Sequence, residues 1–234
     1  MTEGTIARSP PGEIPQEAGV RYDRAIAAAV HGHYWVRPAA GGAPAPWLVG
    51  FHGYGENAES LLAAADQIPG AASWHLASVQ ALHPFYTRRG DVVAGWMTRF
   101  DRELAIADNT AYAAKAVEAL RGELATSGAP VFAGFSQGVA MAYRAAAAVP
   151  CRGLVALAGD VPPEVDVRRL PPVLIGRGLG DTWYDEAKMS ADLERLEAAG
   201  VSVETCVFEG GHEWTADFRR AVARFLARTA ASSC

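Results

Sequence analysis

Residues 130–149 read PVFAGFSQGVAMAYRAAAAV, and this stretch decides which fold the sequence predicts. An apolar strand over Pro130–Phe135 passes directly into an alanine-rich helix over Gln137–Val149, with the pattern G-x-S-x-G at the junction. Glycines two positions before and after Ser136 permit the tight, strained turn that raises a serine hydroxyl above a sheet. The pattern predicts a nucleophilic serine, and a plain glycine turn is the alternative.

The rest of the chain alternates short apolar runs with helical patterns, which is typical of a mostly parallel α/β sheet flanked by helices. The strand predicted over 201–208 places Val201, Val203, Thr205 and Val207 at alternate positions, which indicates a less buried, edge-like strand. Further strands are predicted at residues 33–36, 47–51, 74–79, 153–158 and 172–175, and helices at 58–67, 101–126, 186–199 and 213–228. No apolar run approaches the roughly 20 residues of a membrane-spanning helix.

Composition places the chain among globular proteins, since half of its 234 residues are hydrophobic and 20% are charged. A net charge of −5 argues against nucleic acid or an anionic membrane as the main partner, because both favour a basic surface. Residues 1–20 are interpreted as a flexible leader, and residues 21–234 as one domain. Three cysteines without a signal peptide favour reduced thiols and a cytoplasmic location.

A catalytic serine needs a base, and His212 is the best placed of the six histidines. It lies in EGGHEW (209–214), directly after the last predicted strand and before the last helix. Chain order Ser, Asp, His is one of the orders in which such triads occur, and the paired glycines let the loop turn the imidazole toward Ser136. His31 and His33 have a spacing that a metal could use, but no third ligand is visible, so we expect no metal site.

The acid that orients the imidazole is predicted to be Asp181, which follows a predicted strand and the turn GLG at 178–180. It lies between Ser136 and His212 in the sequence. Asp160, after the preceding strand, is the main alternative, and Asp185 is a weaker one. The carboxylates not used for catalysis are interpreted as loop-capping groups.

The segment HGYGEN (52–57) follows the strand at 47–51 and is the candidate oxyanion loop. A main-chain N–H of this loop and that of the residue after the nucleophile would stabilise an oxyanion. The predicted donors are therefore Tyr54 and Gln137, and His52 is interpreted as a structural residue of the loop.

Four segments, HGYGEN, GFSQG, GLGD and GGHEW, together resemble the phospholipase/carboxylesterase family of α/β-hydrolases, which includes the acyl-protein thioesterases. The resemblance covers the chain from about residue 47 to the last helix. It implies one α/β-hydrolase domain without a large cap, no cofactor and carboxylic ester substrates. It also implies the roles already inferred for Ser136, Asp181, His212, Tyr54 and Gln137. Departures from the family pattern at 95–98 (GWMT) and 182–184 (TWY) leave the acyl-chain preference open.

The long connection over 80–100 is predicted to be irregular and functional, because loops of this length are uncommon in compact domains. We expect Phe85, Tyr86, Trp96 and Trp183 to line the acyl or alcohol pocket, with core packing as the alternative for each. Arg88 and Arg89 are interpreted as solvated, the alternative being attraction of an anionic substrate group. The short loop at 160–169 predicts an open pocket without a helical lid.

The sequence thus predicts a serine hydrolase that cleaves small-molecule carboxylic esters through an acyl-serine, as a carboxylesterase or lysophospholipase does. A thioesterase or small peptidase using the same triad is one alternative, and a non-catalytic binding protein of the same fold is another. No nucleic-acid partner, stable membrane insertion or cofactor is expected. A homodimer is left open.

Overall fold

A computed structural model describes residues 6–8, 21–42 and 44–231 of the chain. The chain divides into two compact units, residues 1–31 and 32–234. In the first unit, β1 (Ile6–Arg8) pairs in parallel with β2 (Arg21–Asp23). Apart from β1, the predicted leader lies outside the described residues. The predicted domain boundary at residue 21 stays a prediction.

The second unit is built around a mostly parallel seven-stranded sheet. Its strands are β3 (Tyr34–Arg37), β4 (Trp47–Phe51), β5 (His75–Val79), β8 (Val131–Phe135), β9 (Gly153–Leu157), β10 (Val173–Gly178) and β11 (Val203–Phe208); β6 (His83–Tyr86) and β7 (Val92–Gly95) form a separate hairpin. The helices are α1 (Ala58–Asp66), α2 (Arg102–Glu123), α3 (Gln137–Ala148), α4 (Glu186–Ala198) and α5 (Ala216–Ala231).

The strand order is β11-β10-β9-β8-β4-β5-β3, and only β3 runs antiparallel to its neighbour. Every residue of β4, β8 and β9 is buried, as expected for central parallel strands covered by helices on both faces. The chain order reverses direction between β4 and β8. Ligands of open α/β sheets bind at such a switch point, beyond the carboxyl ends of the strands.

The predicted edge strand is confirmed, because β11 pairs with β10 and with no other described strand, and most of its residues are partly or fully exposed. Predicted and observed bounds agree closely near the elbow, where β8 and α3 differ from the prediction by one residue each. The predicted helix over 101–126 is shorter than expected and ends at Glu123.

The connection over 80–100 is not irregular, because most of it forms the antiparallel hairpin β6–β7. Thr87 donates its N–H to Asp91 O over 2.9 Å, and Gly90 closes the turn with a φ of 89°. The signal for this turn was RRGD at 88–91. In the part of the chain that the structure describes, no helix is both long and apolar enough to cross a membrane.

Candidate active site

Ser136 lies at the sharp turn between β8 and α3, with a φ of 53° and a ψ of −122°. This conformation is unfavourable for a residue with a side chain, and it is held by the hydrogen bond from Ser136 N to Leu157 O, 2.9 Å. A Cβ on Gly134 would lie 2.5 Å from Gly138 O, and one on Gly138 would lie 2.0 Å from Phe51 O. The two glycines of the motif are therefore required by the close approach of α3 to β4 and β8.

Asp181 and His212 are joined by a hydrogen bond of 2.8 Å between Oδ2 and Nδ1. The second carboxylate oxygen of Asp181 accepts the N–H groups of Trp183 (2.8 Å) and Tyr184 (3.0 Å). Burial alone would raise the pKa of Asp181, but the hydrogen bonds from Tyr184, His212 and Trp183 outweigh it and the pKa is lowered. The carboxylate is thus held ionised and aimed at the imidazole.

Close contact between the loops after β10 and β11 brings this pair together. Leu179 N donates to Phe208 O (2.9 Å) and Gly180 N to Gly210 O (2.8 Å). A Cβ on Gly178 would lie only 2.2 Å from Gly211 O. Only glycine at position 178 therefore allows the acid loop and the histidine loop to lie side by side.

The imidazole of His212 also lies at the elbow, because its ring packs on Phe135 with centroids 5.0 Å apart. Since Nδ1 bonds the carboxylate of Asp181, Nε2 is the nitrogen left for the serine hydroxyl. Ser136 and His212 line the same pocket, whose volume is about 310 Å³. The structure thus brings all three predicted triad residues to one end of the sheet.

The alternative acids take other roles. Asp185 caps α4 by accepting Lys188 N over 2.9 Å. Asp160 lies on the pocket wall, where its Oδ2 is 3.8 Å from Lys188 Nζ. Within the described residues, neither carboxylate bonds His212.

His52 is buried between Gly53 O, 2.7 Å from Nδ1, and Ala81 N, 3.1 Å from Nε2. Burial lowers the pKa of His52 to about 4, although the bond to Gly53 opposes this. Nδ1 therefore donates, Nε2 accepts, and the neutral ring connects the loop after β4 to the segment after β5.

The loop at 52–57 approaches the serine closely, since a Cβ on Gly53 would lie 3.3 Å from Ser136 Cβ. Gly53 N is already bonded to Glu56 Oε2 (2.8 Å), whereas Tyr54 N has no acceptor within the described residues. Gln137 is the first residue of α3, so its N–H has no acceptor within the helix. Neither N–H group predicted as an oxyanion donor thus has an acceptor in the described part of the chain.

The side chain of Gln137 has a role that the sequence did not suggest. Its Oε1 accepts Trp96 N (2.8 Å), and its Nε2 donates to Met97 O (2.9 Å). It thus ties the segment after β7 to the start of α3.

Three of the four predicted pocket residues lie outside the pocket that holds Ser136. Trp96 is fully buried, donates Nε1–H to His52 O (2.8 Å) and packs edge-on against Phe51, so it belongs to the core and not to the pocket wall. Phe85 and Tyr86 lie exposed on the hairpin, where Phe85 packs on Tyr54 with centroids 5.2 Å apart.

Trp183 does line the pocket that holds Ser136. Several other lining residues were not predicted from the sequence, namely Met97, Arg102, Arg144, Tyr184 and Lys188. Only Arg144 had a usable signal, because it follows Ser136 by eight residues on a predicted helix and Ala140 lies between them on the same face. In the described part of the chain, no three His, Cys, Asp or Glu side chains are grouped so that they could hold a metal ion.

No protein-family model matches the sequence, and no curated protein is detectably similar to it. Solved structures do match. Esterase PE8 has a TM-score of 0.69 at 22% identity over 86% of this chain and 100% of its own. The Bacillus cereus carboxylesterase has 0.67 at 18% identity over 85% and 94%, and Zea mays acyl-protein thioesterase 2 has 0.65 at 17% identity over 85% and 99%. These similarities confirm the predicted α/β-hydrolase fold.

Proposed function

We propose that the chain is a serine hydrolase that cleaves carboxylic esters through an acyl-serine intermediate on Ser136. The observation that carries the proposal is the 2.8 Å bond between Asp181 and His212 beside the strained serine turn. In a catalytic triad, an imidazole oriented by a carboxylate activates a neighbouring serine hydroxyl as a nucleophile. The fold shared with esterases and a thioesterase supports the proposal by analogy.

The reaction would proceed in two displacements. Ser136 Oγ attacks the ester carbonyl while His212 Nε2 takes its proton, and Asp181 stabilises the imidazolium. The N–H groups of Tyr54 and Gln137 receive the oxyanion, each contributing roughly 3 kcal/mol to transition-state stabilisation. The C–O bond then breaks, the alcohol leaves with the proton from His212, and water releases the acid by the same steps.

A fluorophosphonate probe tests the proposal, because it labels only an activated serine. We expect labelling of the wild type and of Ser190→Ala, an exposed serine of α4, but not of Ser136→Ala. The kcat of Ser136→Ala on p-nitrophenyl esters should fall by a factor on the order of a million. Unchanged labelling or activity in Ser136→Ala would refute the proposal, and an unlabelled wild type would favour a non-catalytic binding protein.

The triad alone does not determine which bond is cleaved, since thioesters react through the same three residues. The similarity in fold to a protein described as an acyl-protein thioesterase makes this the alternative to test. Matched oxygen esters, thioesters and aminoacyl amides, compared by kcat/KM, separate the three reactions. The cytoplasmic location stays a prediction, and a homodimer stays open.

A further inference from the structure

The pocket next to Ser136 continues along one face of α3 and reaches a buried arginine. Ser136, Ala140 and Arg144 follow one another at intervals of four residues, and all three line the pocket. Arg144 lies about 12 Å further along the helix by its rise per residue, and its side chain leans back toward the N-terminus and the serine. A substrate bound at the serine can therefore extend toward the guanidinium.

The guanidinium of Arg144 is incompletely matched by oxygen acceptors. Its side chain is 3% exposed. Nε and Nη2 both bond Glu164 Oε1, at 2.8 and 2.5 Å. Among the described residues, the partners of Nη1 are two thioether sulfurs, at 3.8 Å from Met97 and 3.9 Å from Met141. Because sulfur is a weak acceptor, this edge retains the capacity to bind an oxygen anion.

A second guanidinium lies at the same place, because Arg102 Nη1 is 3.0 Å from the Met97 sulfur that Arg144 also contacts. Arg102 is the first residue of α2, a position where the helix dipole disfavours a cation. Two like charges beside one thioether, at a helix N-terminus, repel each other, and Glu164, which bonds Arg144, supplies one carboxylate for the two guanidinium groups.

The pocket is also basic as a whole. Arg102, Arg144 and Lys188 line it, with Asp160 as the one carboxylate among its described lining residues. When Glu164, which bonds Arg144, is added to the carboxylates, three cations still face two carboxylates. This contrasts with the chain as a whole, whose net charge is −5. A pocket for a plain alkyl chain would be expected to have apolar side chains at these positions.

We propose that the preferred ester substrate carries a carboxylate, which binds Nη1 of Arg144 with Arg102 at the rim. The inference rests on the proposed ester hydrolysis at Ser136 and names its substrate class. The carboxylate could belong to the acyl half or to the alcohol half, since the chemistry of recognition is the same. The two cases differ after the first displacement, because the alcohol half leaves while the acyl half stays bound to Ser136.

Two substrate pairs test the preference in the wild type. p-Nitrophenyl hydrogen adipate is compared with p-nitrophenyl hexanoate for the acyl half, and 4-hexanoyloxybenzoate with its methyl ester for the alcohol half. We expect the charged member of one pair to have the higher kcat/KM, by about ten- to hundredfold, and the ratio to fall as salt is added. Equal kcat/KM within both pairs would overturn the inference.

Arg144→Met then tests the residue itself, with Arg121→Met on the exposed face of α2 as the matched control. The ratio of charged to neutral kcat/KM should fall about tenfold or more in Arg144→Met and stay at the wild-type value in Arg121→Met. The melting temperature is measured for each variant. If Arg144→Met does not fold, Arg102→Met, at an exposed position, carries the test, with an expected fall of several-fold.

An unchanged ratio in the arginine variant tested contradicts the inference. Failure of the proposed function would look different. In that case Ser136→Ala would still hydrolyse the neutral esters, or the wild type would hydrolyse neither member of either pair. If hydrolysis depends on Ser136 but kcat/KM is equal for charged and neutral esters, the proposed substrate class is refuted and the proposed function is not.

Discussion

Gly178 and Gly211 lie so close that a Cβ on Gly178 would be 2.2 Å from the Gly211 carbonyl oxygen. The first glycine ends β10, three residues before Asp181, and the second precedes His212. The contact therefore sets the distance between the acid and the base. Backbone packing, and not only the 2.8 Å side-chain bond, holds the pair together.

Gly178→Ala should separate the two loops. The added Cβ would meet the backbone carbonyl of Gly211, which cannot move aside as a flexible side chain would. Since a displacement of about 1 Å can cost about a hundredfold in rate, we expect kcat on a p-nitrophenyl ester to fall by about that factor. Gly122→Ala is the control, since its Cβ would meet nothing within 4 Å in α2. Equal kcat in the two variants would show that the loops do not depend on this contact.

Asp181→Asn should keep the shape of the site but lower kcat by about 10⁴, because the amide favours the wrong imidazole tautomer. The folded pKa of Asp181 is depressed, so its ionised form stabilises the fold above the unfolded pKa of about 3.9. That contribution is lost as the pH falls through the lower, folded pKa.

Urea unfolding between about pH 6 and pH 3 checks this linkage. The free energy of unfolding should fall less steeply with acid in Asp181→Asn than in the wild type. Asp108→Asn, at an exposed position of α2, should follow the wild type. Parallel curves for all three proteins would contradict the role given to the carboxylate.

Asp192 of α4 should show the opposite pH dependence. Burial raises its pKa to about 6, although hydrogen bonds from Val161 N (3.1 Å) and Tyr184 Oη (3.0 Å) oppose this. Because this value exceeds the unfolded pKa of about 3.9, the native state binds more protons between these values and loses stability as the pH rises.

The Asn variant of Asp192 lacks this titration and keeps an oxygen acceptor. The free energy of unfolding of this variant minus that of the wild type should therefore be about 1–3 kcal/mol larger at about pH 7 than at about pH 4. Chemical unfolding at both pH values measures the difference, with Glu194→Gln on the exposed side of α4 as the control. A constant difference would show that Asp192 does not titrate in this range.

Arg195 holds the loop at 161–165, which borders the pocket. Its guanidinium donates to the carbonyl oxygens of Pro162 (2.9 Å), Pro163 (3.1 Å) and Val165 (2.6 Å). Arg195→Met should destabilise the fold by about 1–3 kcal/mol, since the partly buried bonds to Pro162 O and Val165 O lose their charged donor.

We also expect KM to rise more than kcat falls in Arg195→Met, because the loop borders the substrate pocket and does not carry the triad. Arg168→Met is the matched control, since Arg168 is exposed and bonds only the neighbouring Asp166 within the described contacts. Thermal unfolding and steady-state kinetics measure both effects. A fall in kcat alone would contradict the positioning role.

Most elements and the serine turn were predictable from the sequence because their physics is local. Apolar runs of strand length, a 3.6-residue period and glycines at fixed offsets from Ser136 depend on neighbours within a few residues. The predicted strand and helix around the elbow accordingly match β8 and α3 within one residue. The hairpin at 83–95 was missed although its turn signal was present.

The sequence by itself determined the fold class, the serine turn and the order in which candidate acid and base follow it. Only the tertiary structure decided which carboxylate meets His212, that Trp96 packs in the core, and that Arg144 and Arg102 meet at one thioether. The physical reason is the separation along the chain over which each effect acts. Periodicity and turn chemistry act between near neighbours, whereas these contacts join residues tens of positions apart through the packing of separate loops and helices on one sheet.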